Sequence, residues 1–162
     1  LKLVIGNPPC SDTIRDNTDK DFSIINHLME DFRPPKELRR GRQNIQKQIN
    51  NPFMQFLRWS CKKLLDSPNH SVLSLVVPLS FLEAESYKYA RKYLCENFSD
   101  AWIVSVDADA RTGARSDSLF HTLQGRAVIV LTRKYGDDTS ITKLHYCDYS
   151  HCMRINKEQL LN

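Results

Sequence analysis

Residues Val72-Leu73-Ser74-Leu75-Val76-Val77 form an almost unbroken apolar run, and no other segment restricts the fold as much. A strand that continuous suits burial on both faces, as in a parallel sheet covered by helices. Residues 1–5, 101–106, 126–132 and 141–146 read as four further strands. Between them apolar residues recur at helical spacing. Phe22, Ile25, Leu28, Met29 and Phe32 form one such stripe, ended by Pro34-Pro35 because proline disfavours the helical region for the residue before it. Asn51-Pro52 opens a second helix carrying Phe53, Phe56, Leu57, Ser60 and Leu64. Residues 83–98 make a third, with Tyr87, Ala90, Tyr93, Leu94 and Phe98 turned inward. Residues 36–49 are also read as helical, with few apolar anchors. The order is that of an α/β fold with an antiparallel C-terminal hairpin, its last two strands joined at Tyr135-Gly136-Asp137-Asp138.

The chain has 162 residues, enough for one domain. No apolar run approaches the roughly 20 residues that cross a bilayer, and the N-terminus lacks a signal-peptide pattern. A chain that opens within a buried strand is expected to be a piece of a longer polypeptide. Five cysteines, Cys10, Cys61, Cys95, Cys147 and Cys152, form an odd set without compact disulfide spacing, which points to a reducing cytoplasm.

Charge is unevenly spread. Arg33, Lys36, Arg39, Arg40, Arg42, Lys47, Arg58, Lys62 and Lys63 are opposed within their stretch only by Glu37. Nine against one is +8, and the net charge of +4 leaves −4 for the rest. Such clustering suits a polyanion, because neutralised phosphates release counterions. Lys36, Arg39, Arg40, Arg42 and Lys47 are the candidate DNA contacts.

The sharpest chemical feature is Val4-Ile5-Gly6-Asn7-Pro8-Pro9-Cys10-Ser11. In an open parallel sheet, ligands bind at the carboxyl ends of strands, where this loop falls. Two prolines stiffen the backbone so that a carbonyl is aimed with little reorganisation, and Asn7 adds a neutral acceptor beside it. The segment resembles the Asn-Pro-Pro-aromatic loop of amino-methylating DNA methyltransferases, which flip the target base into a pocket. Further blocks follow in matching order: Phe56-Leu57-Arg58-Trp59, Val76-Val77-Pro78-Leu79-Ser80-Phe81-Leu82, Arg91-Lys92-Tyr93-Leu94, Ile103-Val104-Ser105-Val106-Asp107 and Leu119-Phe120-His121-Thr122-Leu123-Gln124-Gly125-Arg126-Ala127-Val128-Ile129. Together they resemble the methylase portion of the single-chain type ISP restriction-modification enzymes, from about Leu3 to Lys134.

The resemblance implies the later half of a Rossmann-like methyltransferase sheet, with a helical, basic insertion at 12–51, the remaining sheet at 52–146 and a tail at 147–162. It implies transfer of methyl from S-adenosylmethionine to adenine N6 in double-stranded DNA. Asn7 and the Pro8 carbonyl would accept the amino hydrogens, Pro9 would shape the loop and Phe120 would flank the base. The chemistry needs such acceptors because the N6 lone pair is delocalised into the ring, and fixed acceptors favour a more nucleophilic, pyramidal nitrogen. No metal is required. The rest of the parent polypeptide, with its cofactor-binding half and target-recognition domain, is the implied partner.

Two departures stand out. Cys10 occupies the position at which the family carries an aromatic ring stacked on the base. The five glycines, Gly6, Gly41, Gly113, Gly125 and Gly136, supply no glycine-rich strand-to-helix turn for the cofactor, so the chain by itself is expected to bind it poorly. A nucleic-acid-binding or scaffold remnant without catalysis is the competing class. Pro9-Cys10 is also similar to the Pro-Cys loop of cytosine-C5 methyltransferases, but no Glu-Asn-Val segment follows at a matching distance. His145, Cys147, His151 and Cys152 lack the spacing of a zinc finger and are read as thiols and imidazoles near a sheet edge. Asp107 and Asp109 are read as solvated loop carboxylates.

Overall fold

The computed structural model describes residues 1–9, 22–39, 48–109, 119–120, 123–136 and 143–150. One sheet contains β1 (Lys2–Gly6), β2 (Ser71–Pro78), β3 (Asp100–Asp107), β4 (Arg126–Arg133) and β5 (Lys143–Asp148), in the spatial order β1-β2-β4-β3-β5. β1 is parallel to β2 and β5 to β3, whereas β4 is antiparallel to both of its neighbours. Among the described residues, four strands therefore point one way and β4 opposes them. The α/β class expected from the sequence is present as a mixed sheet.

The expected C-terminal hairpin is not. β3 lies between β4 and β5: Ile129 of β4 faces Ile103 of β3, and Ile103 faces Tyr146 of β5. Side-chain character explains the placement. Ala127, Ile129 and Leu131 are buried, so β4 belongs in the sheet interior, whereas every residue of β5 is exposed, as befits an edge. Gly136, at φ 89°, turns the chain out of β4, and residues 137–142 lie outside the described set.

Burial on both faces of β2 is also corrected. Ser71, Leu73, Leu75 and Val77 are buried, and the residues between them are half-buried. Helices cover the first face. On α2 (Pro52–Leu65), Phe53, Leu57, Cys61 and Leu64 share one core with Leu73, Leu75, Val77, Ile129 and Leu131. Asn51 caps this helix as its sequence predicts: its side-chain oxygen accepts from the Met54 amide at 2.9 Å, with Pro52 in the first turn.

The other helices are shorter than their stripes predict. α1 (Phe22–Leu28) tightens into a 3₁₀ turn at Met29–Phe32. The segment expected at 83–98 is broken: one turn covers Ser80–Glu83, Ala84 is extended at ψ 137°, a 3₁₀ turn covers Glu85–Tyr87, and α3 covers Lys88–Asn97. The Arg91 guanidinium bridges the break, donating to the carbonyls of Phe81 and Ala84 at 2.8 Å each. Of 36–49, the structure describes a 3₁₀ turn at Lys36–Leu38 and a helical end at 48–49.

Candidate site at the carboxyl edge of the sheet

The parallel arrangement brings the ends of β1, β2, β3 and β5 to one edge of the sheet, where β4 begins. Asn7-Pro8-Pro9 leaves β1 at this edge. Gly6 lies level with Leu75, so β2 continues past it to Pro78, and Pro78 and Asp107 both lie opposite Arg126. Three loops therefore start or end within a few residues of one line across the sheet.

The Asn-Pro-Pro loop is seated from below. A side chain at Gly6 would meet Phe56 and Leu75 at 3.3 Å, so α2 packs directly beneath the point where the chain turns out. Pro8 is buried, while Asn7 and Pro9 are exposed. Among the described residues the Asn7 side chain has no hydrogen-bond partner, leaving its amide oxygen available as an acceptor at the strand end. Cys10 lies outside the described residues.

Phe120 is half-buried and is held by a residue that the sequence assigned differently. Asp107 is not a solvated loop carboxylate. It is 0% exposed, and its two carboxylate oxygens accept the backbone N–H groups of Leu119 at 2.8 Å and Phe120 at 3.2 Å. Burial without such donors would be costly for a carboxylate, and the paired amides compensate. Asp109 is half-buried beside it. Gly125 completes the junction: a Cβ there would stand 2.8 Å from the Asp107 carbonyl oxygen and 3.0 Å from the Asp109 nitrogen. The Gly125 carbonyl accepts from the Leu79 amide at 2.8 Å. The loop after β2, the end of β3 and the approach to β4 are thus tied together. A strand-terminal aspartate and a glycine before a strand were visible in the sequence, but nothing in it paired them.

The basic segment is partly neutralised within the protein. Arg39 pairs with Glu30 at 2.9 Å and donates to the Pro34 carbonyl. Arg33 pairs with Glu30 and donates to Asn50. Arg58 is buried, bonds Asp31 at 2.5 Å and lies 4.8 Å from the centre of the Tyr93 ring. Glu30 and Asp31 precede the stretch whose charges were counted, and including them changes nine against one to nine against three. Burial pushes the Glu30 carboxyl up, but the Arg39 and Arg33 guanidinium groups outweigh it and hold its pKa below 4.5. Lys36 is exposed, and Arg40, Arg42 and Lys47 lie outside the described residues.

Among the described residues no group of three or more metal-ligating side chains is present. His145 instead stacks on Trp102, with ring centres 5.1 Å apart. His151 and Cys152 lie outside the described set. Burial pushes the Cys61 thiol up to about 12, which makes it a core side chain and not a nucleophile. No helix among the described residues is long and apolar enough to cross a membrane.

Three solved structures share this fold. The nuclease-deletion mutant of the type ISP restriction-modification enzyme LlaGI, in complex with a DNA substrate mimic, superposes with a TM-score of 0.75 at 20% identity, over 99% of this chain and 13% of that one. A DrdV–DNA complex gives 0.75 at 19% identity, over 99% and 16%. The ATP-dependent type ISP enzyme LlaBIII bound to DNA gives 0.71 at 16%, over 91% and 10%. The fold is one found within restriction-modification enzymes. The chain spans between a tenth and a sixth of the length of these neighbours. No protein-family model and no curated protein matches the sequence.

Proposed function

We propose that this chain is the amine-positioning half of an N6-adenine DNA methyltransferase within a restriction-modification enzyme. The observation that carries the proposal is the Asn7-Pro8-Pro9 loop at the carboxyl end of β1. It stands on a seat formed by Phe56 and Leu75, with Asn7 exposed and without a side-chain partner among the described residues. The shared fold with enzymes whose structures contain DNA lends support.

In this proposal a flipped adenine presents its amino group to the loop. The two N6 hydrogens are donated to the Asn7 amide oxygen and the Pro8 carbonyl. The Pro8 carbonyl belongs to a backbone stiffened by two prolines, and the Asn7 side chain projects from the same loop, so little reorganisation accompanies binding. Holding both hydrogens in fixed directions draws the nitrogen lone pair out of conjugation with the ring. Phe120 flanks the base, and Lys36, Arg39, Arg40, Arg42 and Lys47 form the DNA-facing segment. The charges left unpaired within the protein, Lys36 among them, contribute most to phosphate binding.

The described residues do not fit S-adenosylmethionine. Gly6 is packed against Phe56 and Leu75, Gly125 is filled by the backbone of Asp107 and Asp109, and Gly136 stands in open space, with nothing within 4 Å of an added Cβ. The donor is assigned to another part of the parent polypeptide, and this chain's share of the chemistry is to bind and orient the amine. Leu3 and Ile5, on one face of β1, are exposed, which suits a face covered by such a part.

The test is nucleoside mass spectrometry of DNA treated with the full-length polypeptide and S-adenosylmethionine. N6-methyladenine is the expected product. 5-Methylcytosine would shift the role to Cys10, and the absence of any methylated base would leave a DNA-binding remnant.

A further inference from the structure

We propose that Asp107 is a positioning residue for Phe120, setting how the ring meets the target base. The inference rests on the base-flanking role proposed for Phe120 and adds a residue to it. Three observations converge. The pairing of β3 with β4 shifts register between Ser105 and Asp107, and a bulge of this kind re-aims the side chain that follows it. The re-aimed carboxylate is fully buried and uses both oxygens on consecutive amides, Leu119 and Phe120. Gly125 then closes the same loop against the Asp107 backbone, where a Cβ would come within 2.8 Å of its carbonyl oxygen.

The Phe120 N–H belongs to the peptide joining it to Leu119, and the Leu119 N–H to the peptide before that, so the two bonds fix two successive peptide planes leading into Phe120. With those planes fixed, the Phe120 Cα is held in place relative to the end of β3, which limits where its ring can reach. In this proposal Asp107 touches neither base nor donor, and its effect on the base passes through Phe120. Asparagine at this position keeps one acceptor but turns an amide N–H₂ toward a backbone N–H, so one of the two bonds is lost.

The experiment uses the full-length methyltransferase and a duplex carrying 2-aminopurine at the target adenine. Stacking on a ring quenches this base, so Phe120→Ala is expected to raise its emission several-fold and to raise KM for DNA by about tenfold, in line with the loss of one stacked ring. Asp107→Asn is expected to move both quantities in the same direction. In the Phe120→Ala background the same substitution is expected to add less than about twofold, because the ring it positions is gone. A merely structural Asp107 would lower kcat equally in both backgrounds with emission unchanged, and that result overturns the proposal. So does a Phe120→Ala enzyme with wild-type emission.

If Asp107→Asn does not fold, amide exchange in the unmodified protein decides the matter. Protection of the Leu119 and Phe120 amides by roughly tenfold or more supports the clamp, and exchange at the free-peptide rate removes it. An unmodified enzyme that forms no N6-methyladenine refutes the functional proposal itself, and is distinct from an active enzyme indifferent to Asp107.

Discussion

Replacing Gly125 with alanine tests whether the loop after β2 and the two ends of the β3–β4 loop are locked together. The added Cβ would stand 2.8 Å from the Asp107 carbonyl oxygen, 3.0 Å from the Asp109 nitrogen and 3.0 Å from a Leu79 methyl. Two of these are backbone atoms at a strand end and cannot yield by rotating. Overpacking of that kind costs about 2–3 kcal/mol, offset by roughly 0.5 kcal/mol from the less flexible unfolded chain. The net loss is about 2 kcal/mol, which lowers the melting temperature of a chain this size by about 4–8 °C. Gly6→Ala is the matched control. Its Cβ would meet only the side chains of Phe56 and Leu75, at 3.3 Å, and these can shift by a few tenths of an ångström. Its effect is expected within about 0.5 kcal/mol. Thermal unfolding of the 162-residue chain followed by far-ultraviolet circular dichroism reads both variants. A Gly125→Ala melting temperature equal to wild type, or a Gly6→Ala loss exceeding it, refutes the packing described for the edge.

Other consequences follow from buried and paired groups. Cys61 is buried with its thiol raised to about 12, whereas Cys95 and Cys147 are exposed. A maleimide at neutral pH is therefore expected to label Cys95 and Cys147 and to reach Cys61 only after unfolding, as read by peptide mass mapping; rapid native labelling of Cys61 would contradict its placement. The Glu30 carboxyl has its folded pKa lowered below 4.5, so its stabilising contribution is present above 4.5 and is lost as pH falls through the lowered value. Urea titrations of wild type and Glu30→Gln are expected to differ at pH 7 and to converge in acid; a difference that grows in acid reverses the assigned sign. Lys36 is exposed, so Lys36→Ala is expected to reduce the salt slope of DNA binding by about 1. Arg58→Ala is expected to act on stability, because Arg58 is buried on Asp31 and Tyr93.

The parts of the fold set by local chemistry were legible in the sequence. Asn51-Pro52 starts α2 because a capping side chain and a fixed proline φ are local facts. The strands were found, with β5 bounded as Lys143–Asp148, because apolar runs mark extended segments. Burial was misread at the sheet edges: the first strand, expected to be buried, exposes Leu3 and Ile5, and every residue of β5 is exposed. The position of β4 was not legible. Two strands joined by a short turn ordinarily pair, and only the contrast between buried Ile129 and Leu131 and the exposed β5 indicates that β3 comes between them. The break at Ala84 escaped detection because the inward stripe of Tyr87, Ala90 and Leu94 lies wholly beyond it and reports nothing about the residues before Tyr87. The site divides in the same way. Asn7-Pro8-Pro9 is contiguous and stood out, whereas Asp107 and Phe120 meet only through folding, with 12 residues between them. The charge count also misled, because Glu30 and Asp31 lie just upstream of the residues they neutralise.

The central claim is that the Asn7 amide oxygen holds the adenine amine. Single-turnover methyl transfer by the full-length polypeptide, with and without Asn7→Ala, measures this directly. Removing one preorganised polar group from a reacting centre lowers the rate by about 10²–10³. The account predicts a loss of that size with DNA affinity changed less than about threefold, since the DNA-facing segment is untouched. An Asn7→Ala enzyme that methylates adenine at the unmodified rate would contradict it.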